Sequence, residues 1–575
     1  MRASVLIAVL YVLVQALSLA APNPLRAETS PQTARGTLPW ERAAAAEDAA
    51  KTGDAPSAEE AAVAPDVSPA AAPDADETES TADESTAEVD APAPDSGTKT
   101  QTTAAPSGPP HPVVAVIREK LADPAVTKDA EADDVAALKA FYRAWGEPPL
   151  WITEMGFSAK GQAVLFEIQK AEDWGLEAKD FALPKAGALP GDEAAQALAE
   201  IKLDLAILKY ARLARGARHV PSEISDLFDQ SASLRAPGTV IAEIGTTGAP
   251  DIYLQSLHPQ HEQFGRLRQA LLEARKADEP NETDIRRLVI NMERWRWMPE
   301  ELGSLYVWLN TPEFMLYVVK DGKTVFEDKT LVGTIGNATP IFSDEMETIV
   351  FNPDWVAPPS VLEDKLWPAL KRKSYNVLKS NKLRVSYNGK VIDPTKIDWR
   401  RVNIHRFTFS QKAGPKNVLG KAKFLYPNKH IVYMHDTLPY RQKVFAEKER
   451  AIGYGCVRME KPLPFAELML AEDQELPKSE VKDLWDKGVN RSVTLESKPP
   501  VHTTYFTAVV DEDGKVSTFK DLYGLDRKHA VALFGEADGF PQPPPEPKAR
   551  SSSGGVAASR SPSRAGFANA LGFGD

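Results

Sequence analysis

The chain has 575 residues, with 81 acidic side chains against 68 basic ones, a formal net charge of −13 and a pI near 5.4. That length predicts two or three domains plus tails, and the acidic balance argues against nucleic acid as a partner. One cysteine in the whole chain excludes a disulfide framework.

Met1 and Arg2, then an apolar run over residues 3–21 with a small-residue site at Ser18-Leu19-Ala20, read as a secretory signal over residues 1–27. The run is near the lower limit for spanning a bilayer, so an uncleaved anchor is the alternative. Residues 28–112 are rich in Ala, Pro, Asp, Glu, Thr and Ser with hardly an aromatic. Such a segment cannot bury enough apolar surface to offset the chain entropy lost on folding, which predicts a disordered spacer.

Residues 113–283 carry a helical pattern. Ile201, Leu205 and Leu208 recur at helical spacing, as do Phe141 and Trp145, and Phe166, Ile168 and Ala171 continue the style. Pro148-Pro149 and residues 187–191 break the helices, and the aromatic residues are expected in the core. His258-Pro259-Gln260-His261 could pass for a metal pair, but the proline disrupts helical spacing and no third ligand stands nearby, so it reads as a loop without metal.

Residues 284–498 turn β-rich. Stretches 305–309 and 314–319 alternate, Asp321-Gly322 makes a hairpin turn, and 324–332 returns. Residues 355–400 interrupt the strands with Pro358-Pro359, the triplet Lys371-Arg372-Lys373 and a polar run to Trp399. Residues 462–470 read as a helix with proline in its first turn. Residues 499–541 add a hairpin, 505–510 with 516–519 around Asp513-Gly514, and a short helix; 542–575 read as a disordered tail. The fold class is α+β.

The chemistry concentrates between His430 and Arg458. A thiol becomes a strong nucleophile only as the thiolate, so Cys456 needs a base or cation nearby. His435 is the candidate. If residues 430–436 form a strand, Ile431, Tyr433 and His435 share one face and Val432, Met434 and Asp436 the other. That alternation argues against Asp436 orienting His435 by its side chain; a backbone carbonyl or water is expected. Gly453 and Gly455 flank Tyr454 before Cys456 and let main-chain N–H groups approach a developing oxyanion, as acyl transfer through a thioester requires. Arg458 could hold the thiolate's charge or a substrate carboxylate. The helix that follows would place its positive end near the thiol and lower its pKa. In an exported protein an unpaired thiol also needs a reason, and nucleophilic catalysis is the best available.

His435-Asp436-Thr437 followed by Gly455-Cys456-Val457-Arg458 resembles the signature of the L,D-transpeptidases, which cross-link peptidoglycan and carry a YkuD-type catalytic domain. The large periplasmic YcbB type is the nearest in pattern, through Asn291 to Trp297, Pro415 to Gly420, Lys423-Phe424, Pro427-Asn428 and residues 501–526. Gly453-Tyr454 departs from it, since the family usually has Ser or Thr, then His or Ser, there. The resemblance implies a helical scaffold domain at 113–283, a catalytic domain at 284–498 with a capping subdomain at 355–400, and a hairpin and helix at 499–541 packed on the body. It leaves no room between Leu272 and Asn291 for the peptidoglycan-binding module that the type often carries. It further implies catalysis by Cys456 and His435, an oxyanion or substrate contact by Gly455, Tyr433, Tyr454 and Arg458, no metal or organic cofactor, a periplasmic location, and peptidoglycan stem peptides as partners, with other envelope or cell-wall synthesis proteins as possible ones. The basic triplet is either a solvated face or a contact to anionic glycan or stem-peptide carboxylates. The alternatives to cross-linking are L,D-carboxypeptidase action, attachment of envelope proteins to the wall, and an inactive peptidoglycan-binding scaffold.

Overall fold

The computed structural model describes residues 109–185 and 192–543. The expected signal, nearly all of the spacer and of the tail, and the 187–191 breaker lie outside those residues.

The helical part is built around α4 (Glu193–Ala214), packed by α1 (Pro112–Ala122), α2 (Ala132–Ala144), α3 (Ala159–Gln169) and α5 (Pro237–Thr246). Apolar residues surround α4 on most of its circumference, as in a helix buried in a core. Two acids on it are fully buried, Glu200 and Asp204. They are not stranded: the Tyr142 hydroxyl lies 2.7 Å from Asp204 Oδ2, Trp151 Nε1 donates to Asp204 Oδ1 at 2.7 Å, and the Trp151 N–H donates to Glu200 Oε2 at 3.0 Å. Burial pushes both carboxyls up, Asp204 to about 7. Phe141 stacks on Trp145 at 5.1 Å. Phe166 departs from the expected core role, because it is 59% exposed and its ring lies 3.7 Å beneath the Lys170 ammonium. His258-Pro259-Gln260-His261 is a loop in which His258 is buried against Tyr210 and Trp174, and no metal-ligand cluster occurs among the described residues.

Helices α6 (Glu262–Lys276) and α7 (Glu282–Arg296) are joined by residues 277–281. Asn281 caps α7 by accepting from the N–H groups of Thr283 and Asp284. Helix α7 connects the helical part to the rest. Asn291, fully buried, accepts from the N–H of Thr507 at 2.9 Å and of Ala508 at 3.3 Å, and donates to the Arg287 carbonyl. Arg294 pairs with Asp526 of α9 (Leu525–Phe534) at 2.7 Å, both buried.

The β-rich part is one curved sheet. Its strands are β1 (Leu305–Asn310), β2 (Met315–Lys320), β3 (Lys323–Gly333), β4 (Phe342–Glu345), β5 (Thr348–Phe351), β6 (Ala422–Leu425), β7 (Met434–His435), β8 (Ala451–Gly453), β9 (Val457–Met459), β10 (Arg491–Thr494) and β11 (Pro500–Thr504). They run in the order β10-β5-β6-β7-β9-β3-β2-β1-β11-β4, with β8 also on β3. The β2–β3 hairpin turns on Asp321 and Gly322, both at positive φ (49° and 75°), the geometry of a type I′ turn. Alternate residues of the strands enclose a core with helix α8 (Pro462–Gln474), including Val307, Leu316, Phe424, Met434, Val457 and Phe465. The expected strand over residues 430–436 shrinks to β7. Asn428 Oδ1 accepts from both the His430 and Val432 N–H groups, and Ile431 takes φ 57° and is 70% exposed, so it leaves the face shared by Tyr433 and His435. The C-terminal hairpin begins at Ala508 and not at 505, because the Phe506 and Thr507 N–H groups donate to the side chains of Asn310 and Asn291.

Residues between Trp355 and Leu419 form their own core, in which Trp399 packs on Phe407 and Phe409. A small sheet orders Lys390–Val391, Arg384–Tyr387, Phe407–Gln411 and Trp355–Val356, with helical turns over 359–371 and at Asn376–Ser380. No helix among the described residues is long and apolar enough to cross a membrane.

Replacing Asn291 by Leu removes acceptors from the buried N–H groups at 507 and 508. We expect a loss of about 2–3 kcal/mol, read as a lower urea midpoint; an unchanged midpoint would contradict the role of this side chain.

Candidate functional site

Parallel pairing of β7 with β9 sets Met434 opposite Val457 and His435 opposite Arg458. One step back, Tyr433 stands beside Cys456, and the Val457 N–H donates to the Tyr433 carbonyl at 3.1 Å. Since residues two apart share a face, Tyr433, His435, Cys456 and Arg458 rise on one side while Val432, Met434, Val457 and Met459 enter the core. Antiparallel β6 adds a fifth group, because Lys423 is opposite His435.

The four groups and Tyr454 line one cleft, closed by Trp355, Pro358 and Val361 of the small subdomain and by Val418 and Leu419. Tyr433 and Tyr454 pack against that subdomain's core. Gly453 is required by space, because a Cβ there would stand 2.9 Å from the Val332 carbonyl oxygen. Gly455 takes φ 92°, and its carbonyl accepts from Thr339 Oγ1 at 2.8 Å. Across a planar trans peptide the N–H points opposite to the C=O. The N–H of Cys456 is therefore turned away from Thr339.

The sulfur is half-buried, 3.9 Å from the Ile431 carbonyl. Burial pushes its pKa up, against hydrogen bonds from Tyr433 and the nearby charges of Arg458 and Lys423. The expected helix effect is absent, because β9 separates Cys456 from α8, which begins at Pro462. Burial also drives His435 down to about 3, aided by Arg458, with hydrogen bonds to the main chain of Asp436 and Leu419 pulling back. The two groups therefore rest as neutral thiol and neutral imidazole.

His435 Nδ1 lies 2.6 Å from the carbonyl oxygen of Asp436. A carbonyl only accepts, so Nδ1 carries the proton and Nε2 holds the lone pair. Asp436 is itself fixed, its carboxylate accepting from the Lys421 N–H at 2.8 Å and the Thr437 N–H at 2.6 Å. Gly420, at φ 64°, makes room for it: a Cβ there would fall 2.3 Å from Asp436 Oδ2. Arg458 is buried, and burial lowers it to about 10.

The sequence did not single out Lys423 for the site. Its ammonium lies 5.1 Å from the Tyr433 ring centroid, and burial lowers its pKa. Only the β6–β7 register reveals it.

The neutral pair has a measurable consequence. Alkylation of Cys456 by iodoacetamide should rise with pH up to and beyond the ordinary thiol range, with no step near pH 6.5. A plateau between about pH 5 and 8 would mean a resting thiolate–imidazolium pair and contradict the assignment.

Two family descriptions match the chain: an L,D-transpeptidase catalytic domain over residues 304–488 and a scaffold domain over 136–271. A curated protein of Haemophilus influenzae, provisionally named an L,D-transpeptidase, is 31% identical over 247 residues, 43% of this chain. The matched region spans 49% of that relative's length. Among solved structures, an L,D-transpeptidase from Mycobacterium smegmatis is 10% identical over 35% of this chain and 58% of its own, with a TM-score of 0.17. The Ldtfm–avibactam carbamoyl enzyme is 12% identical over 36% of this chain and 51% of its own, with a TM-score of 0.16.

Proposed function

We infer that this chain, which belongs to the L,D-transpeptidase family by the catalytic and scaffold domains it carries, is a periplasmic enzyme that cross-links peptidoglycan stem peptides through a thioester on Cys456. The observation that carries this reading is the meeting of Cys456 and His435 in one cleft, on one face of the β7–β9 pair.

In this mechanism His435 Nε2 takes the thiol proton as the sulfur attacks, since neither group is charged beforehand. The sulfur adds to the carbonyl that joins the diamino acid of a donor tetrapeptide to its terminal D-Ala. The N–H of Cys456 receives the oxyanion, with the Tyr433 hydroxyl beside it. Collapse breaks the amide bond, and His435 returns its proton to the departing D-Ala amine. The side-chain amine of a second stem peptide then attacks the thioester, giving the amide cross-link and restoring the thiol. Arg458 and Lys423 supply positive charge for the thiolate and for a substrate carboxylate.

The cleft offers only about 40 Å³ to a water-sized occupant, far below the ~300 Å³ of a typical ligand pocket. The 355–419 subdomain therefore has to swing aside to admit a stem peptide. When closed, its apolar wall of Trp355, Val361 and Leu419 keeps water from the thioester, which favours an amine as acceptor.

Incubating the purified protein with disaccharide-tetrapeptides and weighing the products tests this reading. Dimers short of one D-Ala are expected, and Cys456→Ala should form none. Free tripeptides alone would instead show a carboxypeptidase, and unchanged substrate an inactive scaffold. Gly420→Ala should lower dimer formation about ten- to hundredfold through displacement of Asp436 and the imidazole it orients. Undiminished turnover would sink that positioning role.

A further inference from the structure

A second cleft, of about 240 Å³, opens on the outer side of the β1–β2 hairpin. Trp308 and Tyr317 are directly opposed across the two strands, and Tyr306 lies two residues along β1 on the same face. Trp295 of α7 and Phe506 complete the wall. The Trp295, Trp308 and Phe506 rings stack with centroids 4.9–5.5 Å apart and planes within 27° of one another. They form a stack whose half-exposed member, Trp308, stands in the cleft beside Tyr306 and Tyr317.

Part of this is packing, because Trp295 and Phe506 belong to a core. Packing does not account for the rest. Tyr306, Trp308 and Tyr317 remain half-exposed to the cleft. Glu313 alone carries a charge among the lining side chains. Its carboxylate is held in place by the Tyr317 hydroxyl at 2.7 Å and the Asn310 amide at 3.1 Å.

The lining selects its occupant. A nucleotide, a phosphate or a stem peptide rich in carboxylates would meet no cation here. A compact cation is best held by rings that surround it, whereas these lie nearly parallel. A flat, uncharged ring with C–H groups on its faces and hydroxyls or amides at its edge fits both features: the C–H faces lie on the half-exposed Tyr306, Trp308 and Tyr317 rings, and the edge groups reach Glu313. We propose that this aromatic cleft binds the N-acetylhexosamine glycan strand of peptidoglycan, apart from the thiol-bearing cleft. The choice of glycan rests on the reading of Cys456 as acting on peptidoglycan. The position suits it, since β2 is two strands from β9, roughly 10 Å at sheet spacing. One strand of the polymer could be held here while its stem peptide enters the other cleft.

Titrating the full chain with an unbranched hexamer of N-acetylglucosamine, which carries no stem peptide, tests the site by tryptophan fluorescence and calorimetry. Saturable binding is expected. Tyr317→Ala and Glu313→Gln should each weaken it about tenfold or more, and Thr324→Arg, which fills the cleft from an exposed position, should do the same without removing any packing. All three variants should still form a thioester with a free tetrapeptide. No binding of the hexamer, affinity unchanged in all three variants, or binding of choline in its place would overturn the proposal. Hexamer binding together with failure to acylate Cys456 would sink the transpeptidase reading and leave the sugar site standing. Acylation without hexamer binding would do the reverse.

Discussion

Two residues of parallel pairing, Met434 with Val457 and His435 with Arg458, decide what this molecule can do. They fix the stagger of two segments that are distant in sequence, so that an imidazole, a phenol, a thiol and a guanidinium emerge on one side of the sheet. A slip of one residue in either segment would turn that segment's two groups toward the core. The ladder is short, but its inner face is anchored by Met434, Val457 and Met459 among the most buried side chains of the sheet. The packing of apolar residues on one face therefore holds the register of polar ones on the other.

Burial has a second effect on the same groups. It raises the thiol and lowers the imidazole, so both rest uncharged. The charges that remain nearby, on Lys423 and Arg458, are positive. On the proposed reading, this places positive charge where a thiolate, an oxyanion or a substrate carboxylate would form. The main-chain carbonyl of Asp436 suits this arrangement better than a carboxylate would, because it fixes the tautomer without stabilising an imidazolium strongly.

Much of the architecture was legible from local pattern. Alternation over 305–332 marks β1, β2 and β3, and the Asp321-Gly322 turn follows from the positive φ that such a hairpin demands. Period-two reading also placed Tyr433 beside His435, and it excluded the Asp436 side chain as the orienting group. What failed depends on side-chain capture of the main chain and on contacts between distant segments. The strand over 430–436 was overestimated because Asn428 captures two N–H groups that an extended chain would have offered to a neighbour. The helix after the thiol starts at Pro462, as its proline indicated, but residues 457–459 looked like a loop leading into it, since nothing in them announces that they pair with β3 and β7. Lys423 stayed hidden because cross-strand register is not written in either strand alone. Phe166 looked like core but points to solvent, for helical spacing tells which residues share a face and not which face is covered.

The small subdomain ties these elements to access. Tyr433 and Tyr454 belong at once to the cleft and to the packing of that subdomain, so on the proposed reading any opening of the subdomain and the exposure of the sulfur are coupled through the same two rings. The most direct measurement of the account is the intact mass of the protein after brief exposure to a disaccharide-tetrapeptide without an acceptor. The account predicts an adduct equal to the donor less D-Ala, released by hydroxylamine and mapped to the peptide containing Cys456. An adduct that keeps all four stem residues, one that maps elsewhere, or none at all would contradict it.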